Sequence, residues 1–280
     1  MPDNVLGIIG HPVAHSLSPL MHNFAAKKLG LPYTYAAFDV DPAHLKKAVE
    51  GIRALGIVGM NVTVPHKIRV MGFLDIVDEE ANRIGAVNTV INKGGVLHGT
   101  NTDGMGFLRS LEKKGFNPKG KKAVIIGAGG SSRAIGVSLL RKGVTNLSVI
   151  NRSKNSGSKL VETLSHFGNA DLIQSSETAR VRNAVLEAAL VVQCTSLGMK
   201  KGDPLPLRDP AFRKGQLVYD IIYAPVETRF LASARKAGAD TMNGLAMLVY
   251  QGSESFRLWT GKKFPEESAL KLLKGKLGRV

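Results

Sequence analysis

The 280-residue sequence contains one cysteine, one tryptophan and five tyrosines. A single cysteine, Cys194, forms no intramolecular disulfide and supplies no cysteine-rich zinc site, which excludes the disulfide scaffolds of secreted proteins. The sequence has no run of about 18 apolar residues, and its first residues lack the basic and apolar segments of a secretory signal. We therefore expect a soluble cytoplasmic protein that does not act at a membrane.

The charge of the chain is unevenly distributed. The formal net charge is +16, and residues 105–240 carry 22 Lys and Arg against 10 Asp and Glu, whereas residues 1–104 carry nine of each. A basic middle part is consistent with a polyanionic ligand, although a solvated basic surface explains the charge alone equally simply. The basic residues lack an interleaved aromatic stripe, so the pattern does not favour nucleic-acid binding.

Short apolar, β-branched segments alternate with amphipathic ones, which predicts an α/β fold with a mostly parallel sheet. The lysine-glycine-glycine turn at 93–95 predicts a hairpin within 86–103. The other predicted strands are 5–10, 33–40, 57–64, 123–127, 147–150, 189–193 and 217–222. The predicted helices are 18–29, 42–55, 103–114, 131–142, 177–188, 227–237, 246–259 and 266–276.

A glycine-rich turn follows the predicted strand 123–127 and opens a helix. It reads Gly127-Ala128-Gly129-Gly130, with Ser132 where the strict dinucleotide fingerprint has its third glycine. In such turns the first glycine permits the tight turn, the second lets backbone amides approach a pyrophosphate, and the helix N-terminus contributes partial positive charge. Together with the strand-helix-strand context, the turn predicts dinucleotide binding.

The end of the next strand indicates which dinucleotide is bound. An NAD site places an acidic residue there for the ribose 2′-hydroxyl, but this chain has Asn151, Arg152, Ser153 and Lys154. A guanidinium and an ammonium suit a 2′-phosphate, so the sequence predicts NADP rather than NAD.

Polar residues cluster at the ends of the predicted strands in the first part of the chain. Ser16 and Ser18 begin a helix and suit a carboxylate, although a helix cap with Pro19 explains them equally well. Asn61 and Thr63 lie on one face of a strand. We expect Pro65 to start a short helix with Lys67 in its first turn.

The neighbours of Lys67 give it a chemical interpretation. A single lysine on a helix is usually a solvated charge, but this chain also places Asn88 at one strand end and Asp103 at the N-cap of the following helix. A lysine that faces an aspartate in a pocket can pass a proton to and from a carbonyl while a dinucleotide moves the hydride.

At these residues the chain closely resembles shikimate dehydrogenases of the shikimate/quinate dehydrogenase family. The resemblance spans nearly the whole chain, and NVTVPHK (61–67) and NTDG (101–104) are its most specific motifs. It implies a substrate-binding catalytic domain of residues 1–104 plus 241–280, a Rossmann-like NADP domain of residues 105–240, and a reaction in the cleft between them. The implied reaction is reversible NADPH-dependent reduction of 3-dehydroshikimate to shikimate, a step of aromatic amino acid biosynthesis.

The resemblance also implies roles for individual residues. Lys67 and Asp103 correspond to the catalytic pair, with Lys67 as proton donor. The implied substrate contacts are Ser16, Ser18, Asn61, Thr63, Asn88, Tyr223 and Gln251. The implied cofactor contacts are Gly127, Ala128, Gly129, Gly130, Asn151, Arg152, Lys154, Thr195, Ile221, Gly244 and Met247.

Other interpretations remain open at this stage. A quinate or dual quinate/shikimate dehydrogenase shares the catalytic pair, whereas a non-catalytic NADP-binding regulator has only the +16 charge in its favour. His11 and His15 have the spacing of metal ligands on a helix, but Pro12 interrupts any helix there, so we expect no metal. A monomer and a homodimer are equally consistent with the sequence.

Overall fold

The computed structural model describes residues 4–278. The chain divides into two compact units, one from the described parts of Met1–Gly106 and Leu248–Val280 and the other from Phe107–Met247. Among the described helices, none is both long enough and apolar enough to cross a membrane.

The first unit is built around a six-stranded sheet. Its strands are β1 (Asn4–Gly10), β2 (Tyr33–Asp39), β3 (Gly59–Val62), β4 (Ile76–Val77), β5 (Thr89–Lys93) and β6 (Val96–Thr100). Its helical segments are α1 (Ser18–Lys28), α2 (Leu45–Ala54), α3 (Glu79–Ile84), the start of α4 (Asp103–Lys113), and two 3-10 turns at Pro42–His44 and Arg69–Phe73.

The order of the strands in this sheet is β2-β1-β3-β5-β6-β4. The pairs β1 with β2, β1 with β3 and β4 with β6 are parallel, whereas β3 with β5 and β5 with β6 are antiparallel. The antiparallel pair of β5 and β6 is the predicted hairpin, and it turns at Gly94 and Gly95, whose φ angles are +62° and +93°. Positive φ at both central residues is the geometry that a two-residue hairpin turn of type I′ requires.

The second unit contains a six-stranded parallel sheet. Its strands are β7 (Lys122–Ile126), β8 (Asn146–Asn151), β9 (Ala170–Gln174), β10 (Leu190–Gln193), β11 (Leu217–Asp220) and β12 (Asp240–Asn243). Its helices are α5 (Gly130–Arg141), α6 (Lys154–Ser165), α7 (Thr178–Glu187), α8 (Arg229–Lys236) and the start of α9 (Leu245–Thr260), and α10 (Glu266–Leu277) follows in the first unit.

The strand order in the second unit is β12-β11-β10-β7-β8-β9, with every pair parallel. Counted within the unit, this is the order of a doubly wound dinucleotide-binding fold, whose topological switch point lies between its first and fourth strands, β7 and β10. The predicted α/β class with mostly parallel sheets is therefore confirmed.

Apolar side chains cover both faces of the sheets. In the second unit Ile126, Val191 and Phe230 belong to one buried cluster, and in the first unit Ile9, Val62 and Leu97 belong to another. On the opposite face of the first sheet the indole of Trp259 packs against Gly59, where an added Cβ would lie 2.1 Å from Trp259 Nε1. Glycine is needed there because any side chain would occupy the space of the ring.

Some local predictions are wrong. Pro65 does not start a helix, and Lys67 lies in a series of turns before the 3-10 segment Arg69–Phe73. Asp103 is the first residue of α4 rather than its N-cap. The strand predicted to end at 222 ends at Asp220, and the predicted strand over 57–64 is reduced to β3. The elements above that were not predicted are β4, β9, β12, α3 and α6.

The end of the second unit lies further along the chain than the sequence suggests. The predicted boundary at 240/241 falls at the start of β12, and β12 pairs with β11 from Leu217↔Asp240 to Asp220↔Asn243. That pairing places residues 240–243 in the second sheet. The division between the compact units falls after Met247.

Candidate active site

In the first unit Lys67 and Asp103 form an ion pair shielded from water. Lys67 Nζ lies 2.5 Å from Asp103 Oδ2, and the two side chains are only 11% and 4% exposed. The turn that carries Lys67 is fixed from both sides, because Lys67 O accepts a hydrogen bond from Val87 N and the ring Nε2 of His66 contacts Val40 O at 2.7 Å. The ammonium is thus held on a rigid turn at the end of β3.

Asn88 orients the carboxylate of Asp103. Its Nδ2 donates to Asp103 Oδ1 at 2.9 Å, so one carboxylate oxygen bonds Asn88 and the other bonds Lys67. Asn88 Oδ1 in turn accepts from Thr102 N at 2.8 Å. These bonds fix which way the Asn88 amide points, since its nitrogen and oxygen have different partners.

Gln251 on α9 is brought to the same cluster. Asn88 Nδ2 lies 3.2 Å from Gln251 Oε1, and Gln251 Nε2 donates to Leu248 O. The close approach of α9 to α4 depends on Gly106, because an added Cβ there would lie 2.6 Å from Gln251 N. A residue 163 positions from Asn88 thereby joins the Lys67 and Asp103 pair.

Asn61 is also buried in this region, but its polar atoms are bonded to protein groups. Tyr35 OH donates to Asn61 Oδ1 at 2.7 Å, and Asn61 Nδ2 contacts Asn88 O at 3.1 Å and Ser255 Oγ at 3.1 Å. The geometry favours Asn61 as a support for Asn88, whereas the sequence resemblance implies that it touches substrate.

Ser255 is a residue that the sequence analysis missed. It is fully buried, and its Oγ contacts Asn61, Thr89, Thr102 and the carbonyl of Gln251 at 2.8 to 3.3 Å. Serine in an amphipathic helix gives no signal of its own, and only the position four residues after Gln251, on the same face of a helix, connects the two.

The remaining predicted substrate contacts lie in different places. Ser18 is the buried first residue of α1, and its N–H donates to Ser16 Oγ at 3.2 Å. Thr63 follows β3 and packs over Gly10, where an added Cβ would lie 2.4 Å from Thr63 Cγ2. Tyr223 belongs to the second unit, so it is not among the residues that the first unit gathers.

The glycine turn of the second unit has the form that phosphate binding needs. Gly127 has φ of +104°, which only glycine adopts easily, and Gly129 is the N-cap of α5. An added Cβ on Gly129 would meet no atom within 4 Å, so the space beside the helix N-terminus is open to a ligand. Ser132 is fully buried in α5, as the close packing of helix on strand requires.

The turn after β8 presents its cations to solvent. Asn151 Nδ2 donates to Ser153 O and to Ser156 Oγ, and Ser153 caps α6, so the amide holds the turn in shape. Arg152 and Lys154 are exposed beside it.

A cavity of about 650 Å³ opens at the switch point of the second sheet. Gly127, Asn151, Arg152 and Thr195, four of the predicted cofactor contacts, line it, and the loop before Asp209 forms its opposite wall. The size and the position of the cavity fit the adenosine part of a dinucleotide. Arg182, which the sequence analysis missed, also lines this cavity and pairs with Asp209 at 3.1 Å.

The other predicted cofactor contacts lie in loops and at helix starts of the second unit. Ile221 follows β11, and Gly244 lies against it, since a Cβ added to Gly244 would be 1.9 Å from Ile221 O. Met247 is buried in the first turn of α9, and Ala128 lies within the glycine turn. The fold and these features define a two-unit α/β protein with a Rossmann-like dinucleotide-binding unit and a shielded lysine-aspartate ion pair in the other unit.

Comparisons with known proteins identify the family. The model of the shikimate dehydrogenase substrate binding domain matches residues 8–90, that of shikimate / quinate 5-dehydrogenase matches 110–198, and that of the shikimate 5′-dehydrogenase C-terminal domain matches 244–274. A shikimate dehydrogenase (NADP(+)) of Symbiobacterium thermophilum is 46% identical over 98% of this chain and 96% of its own. The chain belongs to the shikimate dehydrogenase family.

Solved structures agree in fold. A shikimate 5-dehydrogenase from Thermus thermophilus, in complex with NADP(H) and shikimate, superposes with a TM-score of 0.82 at 35% identity and covers 97% of this chain and 99% of its own. A quinate dehydrogenase from Corynebacterium glutamicum, in complex with NAD, gives a TM-score of 0.87 at 29% identity and covers 98% of this chain and 99% of its own.

Proposed function

We propose that this protein catalyses the reversible NADP-dependent reduction of 3-dehydroshikimate to shikimate. The observation that supports this most directly is the shielded ion pair of Lys67 and Asp103, held by Asn88 in a family whose members act on shikimate with NADP(+). As proposed from the sequence, residues 1–104 with 241–280 bind substrate and residues 105–240 bind NADP, with the unit boundaries displaced as described above.

In this mechanism Lys67 is the acid. NADPH, when bound, supplies the hydride for the substrate carbonyl carbon. The ammonium of Lys67 donates a proton to the carbonyl oxygen, which would otherwise become an alkoxide, and a solvent proton restores the ammonium afterwards. In the reverse direction the neutral amine of Lys67 accepts the proton of the hydroxyl.

Asp103 and Asn88 position that acid. Asp103 holds Nζ of Lys67 at one place through its Oδ2, and Asn88 prevents rotation of the carboxylate through its Oδ1. The pair is preorganised because each of the three side chains already has its partner before substrate binds.

Substrate recognition falls to the hydroxyl and amide groups around the pair. We propose that Ser16 and Ser18 bind the substrate carboxylate, with Tyr223 as a third contact, and that Thr63, Asn88 and Gln251 bind ring hydroxyls. Asn61 then supports Asn88 from behind, since its amide is bonded to Tyr35, Asn88 and Ser255.

Cofactor recognition follows the geometry of the second unit. The amides of Gly127 to Gly130 and the N-terminus of α5 bind the pyrophosphate, and Asn151, Arg152 and Lys154 bind the 2′-phosphate of the adenosine. Thr195, Ile221, Gly244 and Met247 contact the nicotinamide end. We further propose that the protein is cytoplasmic, acts as a monomer or homodimer, and contributes to aromatic amino acid biosynthesis.

Quinate with NAD is the second candidate, favoured by the likeness to the quinate dehydrogenase and by the shared catalytic pair. Arg152 and the two serines at 16 and 18 favour shikimate and NADP. A non-catalytic NADP-binding regulator is the remaining alternative. Such a regulator would not need the shielded ion pair of Lys67 and Asp103.

The test is turnover followed by absorbance at 340 nm, with shikimate or quinate and with NADP or NAD. We expect wild type to prefer shikimate with NADP, and Lys67→Ala to lose roughly a thousandfold in kcat. Lys93→Ala, which removes an exposed lysine of the hairpin, is the matched control and should retain full activity. Preference for quinate with NAD would replace the substrate and cofactor assignment, and NADP binding without any turnover would favour the regulator.

A further inference from the structure

Three side chains form a buried polar cluster below the carboxyl ends of β10 and β11. Gln193 and Asp220 are fully buried, and Thr228 is 1% exposed. Thr228 Oγ1 donates to Asp220 Oδ2 at 2.7 Å, and Gln193 Nε2 lies 3.5 Å from Asp220 Oδ1. We call Gln193, Asp220 and Thr228 the strand-end cluster.

Each member of the strand-end cluster also holds backbone of a neighbouring loop. Gln193 Nε2 donates to the carbonyls of Thr195 and Leu197, at 3.2 and 3.0 Å, and its Oε1 accepts from Thr195 N. Asp220 Oδ1 accepts from Ile222 N at 3.0 Å. The loop after β10 and the loop after β11 are therefore tied to one carboxylate.

Thr228 connects the cluster to the following helix. Besides donating to Asp220, its Oγ1 accepts from Leu231 N at 3.2 Å and so caps α8. The loop between β11 and α8 is thus fixed at its start by Asp220 and at its end by Thr228.

The buried carboxylate of Asp220 costs more free energy than a neutral side chain would at a purely structural position. The groups that surround the Asp220 carboxylate are neutral: Ile222 N and Thr228 Oγ1 donate to it, Gln193 Nε2 lies 3.5 Å away, and burial raises its pKa to about 6. A buried charge without a cation costs free energy unless several polar groups converge on it, and here the polar groups come from three separate segments. That convergence fixes three segments relative to one another.

The two tied loops carry Thr195 and Ile221, which we assign to the nicotinamide end of the cofactor. The methyl group of Thr195 lies against the glycine turn, since a Cβ added to Gly127 would be 2.8 Å from Thr195 Cγ2. The carbonyl of Ile221 packs still more closely on Gly244, where an added Cβ would be 1.9 Å from Ile221 O. Neither loop can shift without disturbing a glycine that the bound cofactor needs.

We infer that the strand-end cluster of Gln193, Asp220 and Thr228 positions Thr195 and Ile221 for the nicotinamide end of NADP. Asp220 is a positioning residue of this kind, because it acts through the loops and does not itself touch cofactor. The inference rests on the proposed function in that it takes NADP as the dinucleotide.

The test measures the KM for the cofactor and the KM for the substrate separately in the full-length protein. Asp220→Asn keeps the shape but turns an N–H₂ toward a donor, and we expect the KM for NADP to rise about tenfold while the KM for shikimate at saturating NADP stays within twofold. Asp171→Asn is the matched control, because Asp171 on β9 also accepts side-chain hydrogen bonds, from Asn146 and Ser148, but lies on the far edge of the sheet. It should leave both constants unchanged.

Variants of Thr228 provide a second test that perturbs the strand-end cluster less than Asp220→Asn does. Thr228→Val removes the donor to Asp220 and should raise the KM for NADP in the same direction, whereas Thr228→Ser keeps the hydroxyl and should restore the wild-type value. This pair decides the question if Asp220→Asn does not fold. A KM for NADP within twofold of wild type in folded Asp220→Asn, or in Thr228→Val, would overturn the inference.

Direct binding separates this inference from the proposed function. If wild type turns over neither shikimate nor quinate, the proposed reaction is rejected. A fluorescence titration with NADPH still measures how the strand-end cluster affects cofactor affinity. Weaker NADPH binding in Asp220→Asn and Thr228→Val but not in Asp171→Asn supports the inference. Equal NADPH binding in wild type and these three variants rejects the inference.

Discussion

Nζ of Lys67 and Oδ2 of Asp103 lie 2.5 Å apart in surroundings that leave the two side chains 11% and 4% exposed. Thirty-six positions of chain separate the two residues. Charges so shielded depend on each other, because removal of either leaves the other buried without its partner. The pair therefore has consequences for stability as well as for the proposed proton transfer.

Replacing one member of this pair should destabilise the fold more than replacing both. We expect Lys67→Met and Asp103→Asn each to lower the free energy of unfolding by about 3 kcal/mol, and the double variant to recover part of that loss. Urea unfolding of the four proteins measures the coupling. Single effects that simply add in the double variant would show that the two charges do not interact.

Arg152→Ala should weaken the binding of NADP much more than the binding of NAD. A guanidinium that bonds a 2′-phosphate contributes about 1.5 to 3 kcal/mol, which corresponds to a loss of roughly tenfold to a hundredfold in affinity for NADP alone. Arg180→Ala is the control, because Arg180 is an exposed arginine paired with Glu177 on α7. Titration with both cofactors decides the matter, and an equal loss for NADP and NAD would remove the role of Arg152 in cofactor choice.

His22 should make the protein sensitive to acid. Its ring is fully buried against Tyr35, with centroids 4.4 Å apart, and within residues 4–278 neither ring nitrogen has a hydrogen-bond partner. Burial lowers the pKa of His22 from 6.5 to about 3. The unfolded chain binds the proton more readily than the folded one, so this contribution to stability is present above pH 6.5 and is lost progressively as the pH falls toward 3.

The size of this effect can be measured with a variant that does not titrate. Each pH unit between 6.5 and 3 costs about 1.4 kcal/mol, and His22→Leu should remove that slope although it loses the ring contact. Unfolding free energies at several pH values compare the two proteins. Parallel pH profiles for wild type and His22→Leu would show that other groups control acid unfolding.

Two glycines in helices should respond in opposite ways to alanine. A Cβ at Gly106 in α4 would lie 2.6 Å from Gln251 N. Gly106→Ala should therefore lower the free energy of unfolding by about 1 to 3 kcal/mol and displace Gln251. A Cβ at Gly51 in α2 would meet nothing within 4 Å, so Gly51→Ala should stabilise by about 0.5 to 1 kcal/mol. Thermal unfolding gives both signs, and a stabilised Gly106→Ala would contradict the close approach of α4 and α9.

The sequence by itself determined the features that depend on local chain geometry. The hairpin at Gly94 and Gly95 and the glycine turn before α5 follow from backbone angles that glycine alone tolerates. Lys67 and Asp103 were also recognised in the sequence, through motifs typical of the family. Their roles, like those of the other assigned residues, stay predictions until the variants are measured.

Only the tertiary structure decided which of these residues meet. The resemblance implies that Asn61 touches substrate, and only the fold shows that Tyr35 and Ser255 also reach its amide. Ser255 and Asp220 carry no local signal, because a serine in a helix or an aspartate at the end of a strand is common in any sequence. The hydrogen bond between Asn61 and Ser255 joins residues 194 positions apart, so it depends on how helices and sheets pack, and packing is a property of the whole chain rather than of any segment.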